Sequence, residues 1–126
     1  RRTKDELMTL FSPEEVSELV SFIFISVDIQ RDTPERLGGY LHAFDQSFIG
    51  LTSESEEALQ TFGAGFGLVY QRANISETGE YYSVDHSTYS YLINPAGDMI
   101  AMYIFGHDSR QVAHNIYEDY TSRLVQ

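Results

Sequence analysis

The sequence contains no cysteine and no tryptophan, and only 8 of its 126 residues are lysine or arginine. Without cysteine the chain forms no disulfide, offers no thiolate to a metal ion and has no cysteine nucleophile. A thiol enzyme is therefore excluded for the chain as written. Neither a Ser/His/Asp set with supporting motifs nor the histidine spacing of a metal hydrolase is visible, so we expect that the protein is not an enzyme.

Positive charge is scarce as well. The 19 acidic residues outnumber the basic ones and bring the formal net charge to −11. Nucleic-acid binding depends on lysine and arginine side chains that displace counterions from phosphates, so a nucleic-acid partner is excluded. An acidic surface attracts basic partners or cations, but solubilisation is the simpler interpretation of this charge.

Long hydrophobic runs are also missing. The longest apolar stretch, Val20–Val27, is interrupted by Ser21 and Ser26 and is too short to cross a membrane. No signal-peptide pattern is visible. The chain opens on RRTK and passes directly into a helical pattern, so we expect that it begins partway into a longer protein. Its length and its 42% hydrophobic content predict one globular domain over residues 1–126.

Helix starts are well marked in the sequence. Ser12–Glu15 predicts a capping box with proline at the first helical position, and Thr33-Pro34 opens another helix in the same way. Ser53–Glu56 predicts a second capping box, which leads a helix through Phe62.

Strands are indicated by β-branched and aromatic residues at Val20–Val27, Phe48–Leu51 and Leu68–Arg72. Two alternating apolar segments, 88–93 and 99–105, flank an Asn-Pro-Ala-Gly-Asp turn and predict a β-hairpin. A final helix begins at about residue 109, with an apolar face of Val112, Ala113, Ile116, Tyr117, Tyr120 and Leu124.

The order of these elements predicts an α/β fold. An antiparallel hairpin followed by a helix is how a thioredoxin-like sheet ends. We therefore expect a thioredoxin-like fold, with a central mixed sheet, flanking helices and a C-terminal β-hairpin plus helix.

Three segments of the chain carry a resemblance to one known protein family. Phe24–Pro34 (FISVDIQRDTP) is a strand ending in S-V-D that leads into D-T-P. Tyr40–Thr52 is a helix followed by an F-I-G-L-T strand, and Tyr82–Gly97 contains V-D-H-S, a strand and an N-P-A-G turn. In sequence and in order these segments resemble the SCO1/SenC family of copper-delivery proteins; Ile29 and Asn94 stand where the family usually has Pro and Asp.

The family's C-x-x-x-C-P motif is missing, and the resemblance begins just after its place. Two interpretations are open: the chain is a fragment without the cysteine-bearing strand, or the native protein is a relative without the thiols. The abrupt start favours the first, in which the fold is incomplete at its N-terminus and the sheet lacks an inner strand. The neighbouring strand edges would then be unpaired, and we expect self-association through such an edge.

The resemblance implies that His86 is the copper-binding histidine, which in the family acts together with two thiolates. Considered without the family, a lone histidine at a strand start is more often a structural hydrogen-bonding residue. Asp28, at the carboxyl end of the first strand, is a candidate neighbour of the metal site. Asp85 is a candidate partner that orients His86, although adjacent strand residues point to opposite faces.

Other polar residues are assigned structural or surface roles. The residues expected to begin a helix are Asp32, Thr33 and Pro34. His107 is a weaker candidate for a second ligand, and Asp108 or Ser109 is expected to cap the last helix. His42 and His114 are expected on solvated helix faces.

The resemblance implies copper binding and delivery, with thiol-redox activity, in assembly of the copper centre of cytochrome c oxidase. Copper would be held weakly or not at all by this cysteine-free chain. The implied partner is the copper-bearing subunit of the respiratory oxidase, in the cell envelope at the periplasmic face of the membrane or in the mitochondrial intermembrane space. The alternative is a thiol-free thioredoxin-fold module that binds or scaffolds a partner without metal or redox chemistry.

Overall fold

In the computed structural model the chain divides into two units. One unit comprises Arg1–Ser21 and Thr88–Gln126, and the other comprises Phe22–Ser87. The prediction of one domain over residues 1–126 stays a prediction. The residues that the structure describes are 1–66, 70–73, 83–86, 89–104 and 106–124, with the backbone alone at 70–73 and 83–86.

The elements follow the predicted order, with one additional strand before the hairpin. In chain order they are α1 (Arg2–Leu7), α2 (Pro13–Leu19), β1 (Ile23–Ile25), α3 (Pro34–His42), β2 (Ile49–Leu51), α4 (Glu56–Ala64), β3 (Tyr70–Ala73), β4 (Ser83–His86), β5 (Tyr89–Ile93), β6 (Met99–Ile104) and α5 (Ser109–Leu124). No helix in the described ranges is long and apolar enough to span a bilayer.

Side chains cap the N-termini of α2, α3 and α4, but the residue that caps α4 differs from the predicted one. The capping box of α2 is present: Ser12 Oγ accepts the Glu15 N–H, and Glu15 Oε1 accepts the Ser12 N–H, both at 3.2 Å. The predicted box at Ser53 is wrong, because Ser55 caps α4 by accepting the Ala58 N–H at 3.2 Å. The Ser53 hydroxyl instead bonds to the backbone of Ser55, which places it outside the helix.

A parallel pair of strands packed against α3 forms the centre of the Phe22–Ser87 unit. Strand β1 pairs with β2 in parallel, with Phe24 opposite Gly50. A Cβ at Gly50 would lie 2.7 Å from Leu37 Cγ and 2.8 Å from Leu41 Cδ1, so α3 approaches closely only because this residue has no side chain. On the same face, the buried ring of Phe48 lies 5.1 Å from that of Phe24.

In the other unit, α1 packs against α5, and Asn115 of α5 donates to the Tyr103 hydroxyl of the hairpin at 2.8 Å. Leu7, Val112 and Ala113 are buried, which fits the predicted apolar face of the last helix. The ring of Phe11 extends this core, with its centroid 5.3 Å from Tyr117 and 5.5 Å from Tyr120.

The hairpin pairs β5 with β6 around a tight turn. Asn94 Oδ1 accepts the Asp98 N–H at 2.9 Å, and Gly97 takes a φ of +90° that glycine adopts without strain. A register shift between Leu92 and Ile93 makes Ile100 an extra residue in β6.

The described strands pair in both the parallel and the antiparallel sense. They form three two-stranded sheets, one parallel (β1–β2) and two antiparallel (β3–β4 and β5–β6). Both kinds of pairing are present, as the predicted mixed sheet requires.

Candidate metal centre

The hydroxyl of Ser26 organises the loop that follows β1. Ser26 Oγ donates to Asp32 Oδ2 at 2.5 Å and accepts the Asp28 N–H at 3.1 Å. The Asp32 N–H in turn donates to the Asp28 carbonyl at 2.9 Å. The Asp28 carboxylate pairs with the Arg31 guanidinium, so both aspartates are engaged inside this loop.

Thr33 and Pro34 begin α3 immediately after the loop. Thr33 Oγ1 accepts the Arg36 N–H at 3.2 Å, and Pro34 is the first helical residue. Pro34 suits that position because its nitrogen has no hydrogen to leave unpaired. The capping side chain is therefore Thr33, while Asp32 closes the loop before the helix through Ser26.

The carboxyl ends of β1 and β2 meet beside this loop. The Ser26 N–H donates to the Leu51 carbonyl at 2.9 Å, so the residue after each strand lies at the same edge. Thr52, the first residue after β2, has a buried hydroxyl without a hydrogen-bond partner among the described residues. In open α/β sheets ligands bind outside the carboxyl ends of the strands, and Asp28 is at that edge.

His86 is the last residue of β4 and pairs with Tyr70 of β3. The expectation that it stands at the start of a strand is wrong: residues 83–86 hydrogen-bond to residues 70–73 and make a separate strand before β5. Asp85 is opposite Gln71 in the same pairing. The side chains of Asp85 and His86, and hence their predicted contact and the distance to Asp28, lie outside the described residues.

Of the other histidines, His107 and His114 contact residues nearby in the sequence, and His42 is exposed. His107 Nδ1 lies 2.9 Å from the Ile104 carbonyl oxygen, and its ring packs against Tyr103. His114 pairs with Glu118 at 3.0 Å on α5, and His42 is exposed at the end of α3. Before α5, the helix cap is Asp108, whose Oδ1 accepts the Arg110 N–H at 2.9 Å.

The donor atoms of these 126 residues do not fit a thiolate copper site. Cu(I) prefers soft sulfur ligands, and the sequence has no cysteine. Within the described ranges no group of three or more His, Cys, Asp or Glu side chains could hold a metal ion. The imidazole of His86 stays a predicted ligand, because its side chain lies outside the described residues.

The fold belongs to the thioredoxin-like α/β class. Its relationship to known structures is clear: the crystal structure of Arabidopsis thaliana ScoI with copper bound superposes with a TM-score of 0.78 at 25% identity, covering 96% of this chain and 70% of that one. The SCO1/SenC family model matches residues 4–120. The chain therefore belongs to the SCO1/SenC family.

Sequence relatives agree with this assignment. Protein sco1 of Schizosaccharomyces pombe is 33% identical over 112 residues, which cover 88% of this chain and 42% of that protein. The mitochondrial SCO1 homologue of Homo sapiens is 36% identical over 89 residues, or 71% of this chain and 28% of that protein. The chain thus spans less than half the length of these two relatives.

Proposed function

We propose that the protein handles copper as cargo, binding and delivering it in the manner of the SCO1/SenC family. The observation that carries the proposal is His86, which ends β4 in a V-D-H-S motif inside the region matched by the family. Support comes from the Arabidopsis thaliana relative, which was crystallised with copper bound. An imidazole nitrogen is a suitable ligand for copper in both of its oxidation states.

The sequence contributes no thiolate ligand, because it has no cysteine. One imidazole makes a weak copper site, whereas two thiolates added to it would make a tight one for Cu(I). We infer that these 126 residues bind copper weakly and that the thiol-redox activity of the family requires cysteines that are not among them.

The finer function we propose is delivery to the copper-bearing subunit of cytochrome c oxidase during its assembly. In this role the protein is a carrier rather than an enzyme, and it works in the cell envelope, at the periplasmic face of the membrane or in the mitochondrial intermembrane space. The human relative is named as mitochondrial, which is consistent with the second location for that protein. Copper incorporation into the purified oxidase subunit, with and without the loaded carrier, tests the delivery step.

A competition titration with Cu(I) and Cu(II) tests the role of His86. We expect weak binding by the unchanged chain and at least about a tenfold loss in His86→Ala, because the mutation removes the imidazole of the predicted site. The matched control is His114→Ala, which removes an exposed imidazole from α5 and should leave the affinity unchanged.

The outcomes separate the two candidate functions. Equal losses in His86→Ala and His114→Ala would mean adventitious binding by surface histidines and would contradict the copper site. No measurable binding by the unchanged chain would favour the second candidate, a thiol-free module that binds or scaffolds a partner. The absence of cysteine from the sequence is the observation that supports this alternative.

A further inference from the structure

The β5–β6 hairpin carries two methionines on one of its faces. Its register places Tyr91 opposite Met102 and Ile93 opposite Met99. Residues opposite each other in an antiparallel pair project their side chains to the same face, and so do residues two apart along one strand. Tyr91 and Ile93 therefore share a face, and Met99 and Met102 share it with them.

The register shift at Ile100 is what brings the two methionines to the same face. They are three residues apart in the sequence, and in a regular strand such residues point to opposite faces. The extra residue in β6 changes the alternation, so Met99 and Met102 stand at successive positions of one face. Their partners on β5 are two residues apart, which corresponds to a spacing of about 7 Å along the strand. This placement follows from pairing within the hairpin and needs no other segment of the chain.

The face with the methionines is the one that points away from α5. On the opposite face, the Tyr103 hydroxyl accepts a hydrogen bond from Asn115 of α5 at 2.8 Å, and Leu92 lines the groove between the hairpin and this helix. Met99 and Met102 are 42% and 53% exposed. Both thioethers are therefore accessible to an ion in solution.

We propose that Met99 and Met102 form a Cu(I) site that is separate from His86. Thioether sulfur is a soft donor, which selects Cu(I) over harder cations. The methionine side chain is unbranched and has three rotatable bonds, so two of them spaced by about 7 Å along a strand can direct both sulfurs to one ion. The net charge of −11 also draws cations to the surface. Because the site needs neither cysteine nor His86, it goes beyond the copper binding proposed above.

A Cu(I) titration of the full chain without oxygen, followed by the NMR signals of its three methionine methyl groups, tests the site. Met8, which follows α1 and is 38% exposed, is the internal reference for a lone thioether. We expect Met99 and Met102 to respond together, at Cu(I) concentrations about tenfold or more below the one that shifts Met8, because two ligands hold the ion. Responses of all three at the same concentration would mean adventitious binding by single thioethers and would overturn the proposal.

Met99→Leu separates one shared site from two independent thioethers. Leucine has a similar volume and no sulfur, so the hairpin should keep its structure. We expect the Met102 signal of this variant to need about tenfold or more Cu(I) before it shifts, whereas Met8→Leu, the matched control, should leave it unchanged. A Met102 response that is the same in Met99→Leu would show that the two sulfurs do not share an ion.

His86→Ala distinguishes this site from the imidazole site of the proposed function. The joint response of Met99 and Met102 to Cu(I) should persist in His86→Ala, and its loss would contradict a separate site. Cu(II) reports the imidazole site alone, because thioethers are ligands for Cu(I). Failure of the chain to bind Cu(II), with the methionine response to Cu(I) intact, would contradict the imidazole site and support the methionine site.

Discussion

At the scale of single residues, the hydroxyl of Ser26 holds the loop between β1 and α3 in place. Its hydroxyl bonds at once to the Asp32 carboxylate and to the Asp28 N–H, and thereby fixes the backbone between β1 and α3. Asp28 lies in this loop, next to the edge where we expect the metal site. The geometry around Asp28 thus depends on a residue that need not touch copper itself.

Ser26→Ala should destabilise the protein by about 1–3 kcal/mol, because it leaves the part-buried Asp32 carboxylate without its hydroxyl donor. Urea denaturation followed by circular dichroism measures the change. The control is Ser122→Ala, since the exposed Ser122 hydroxyl donates to the Asp119 carbonyl within the same helix; its effect should stay within about 0.5 kcal/mol. Equal effects of the two substitutions would show that the Ser26 bonds do not hold the loop.

At the scale of elements, the contact between α3 and β2 depends on a missing side chain. Gly50 lets Leu37 and Leu41 lie against the strand backbone, while Gly38 and Gly39 in α3 itself face open space. Glycine therefore has two different consequences within one helix–strand unit. In β2 it permits packing, and in α3 it only lowers helix propensity.

Gly50→Ala should destabilise the protein by about 1–3 kcal/mol, because the new methyl group overlaps two leucine side chains in the core. Gly39→Ala is the matched control, and it should stabilise the protein by up to about 1 kcal/mol through better helix propensity. Both values come from denaturant unfolding at one temperature. A neutral Gly50→Ala would contradict the close packing of α3 on β2.

At the scale of the whole molecule, the dominant property is the net charge of −11. Self-repulsion of this charge opposes the compact state and is screened by salt. The ion pairs among the described residues are mostly exposed and local, such as Arg1–Asp5 and Arg110–Asp108, and exposed pairs stabilise a protein little.

Raising the sodium chloride concentration from low to physiological ionic strength should therefore stabilise the protein, by about 0.5–1 kcal/mol. The melting temperature, followed by circular dichroism, measures this effect. Glu18→Lys, an exposed change on α2 that makes the net charge less negative, should give a smaller response to salt. A melting temperature that falls with salt would show that attractive ion pairs outweigh the repulsion.

Much of the secondary structure was predictable because its causes are local. A capping hydroxyl, a proline at the first helical position and a glycine with positive φ act within a few residues, so α2, α3 and the hairpin turn follow from short motifs. The error at Ser53 has the same origin: two serines two residues apart both suit a cap, and the backbone conformation chose Ser55. Motif order likewise identified the family, which the match over residues 4–120 confirms.

By itself, the amino-acid sequence determined the helix starts, the apolar strand segments, the absence of thiolates and the net charge, since each depends on residue type or short spacing. The tertiary structure alone decided that β1 pairs with β2 and β3 with β4, that His86 ends β4, and that Leu37 and Leu41 pack against Gly50. These features join residues far apart in the chain. Their physical cause is close packing and backbone hydrogen bonding between segments, which no local pattern specifies.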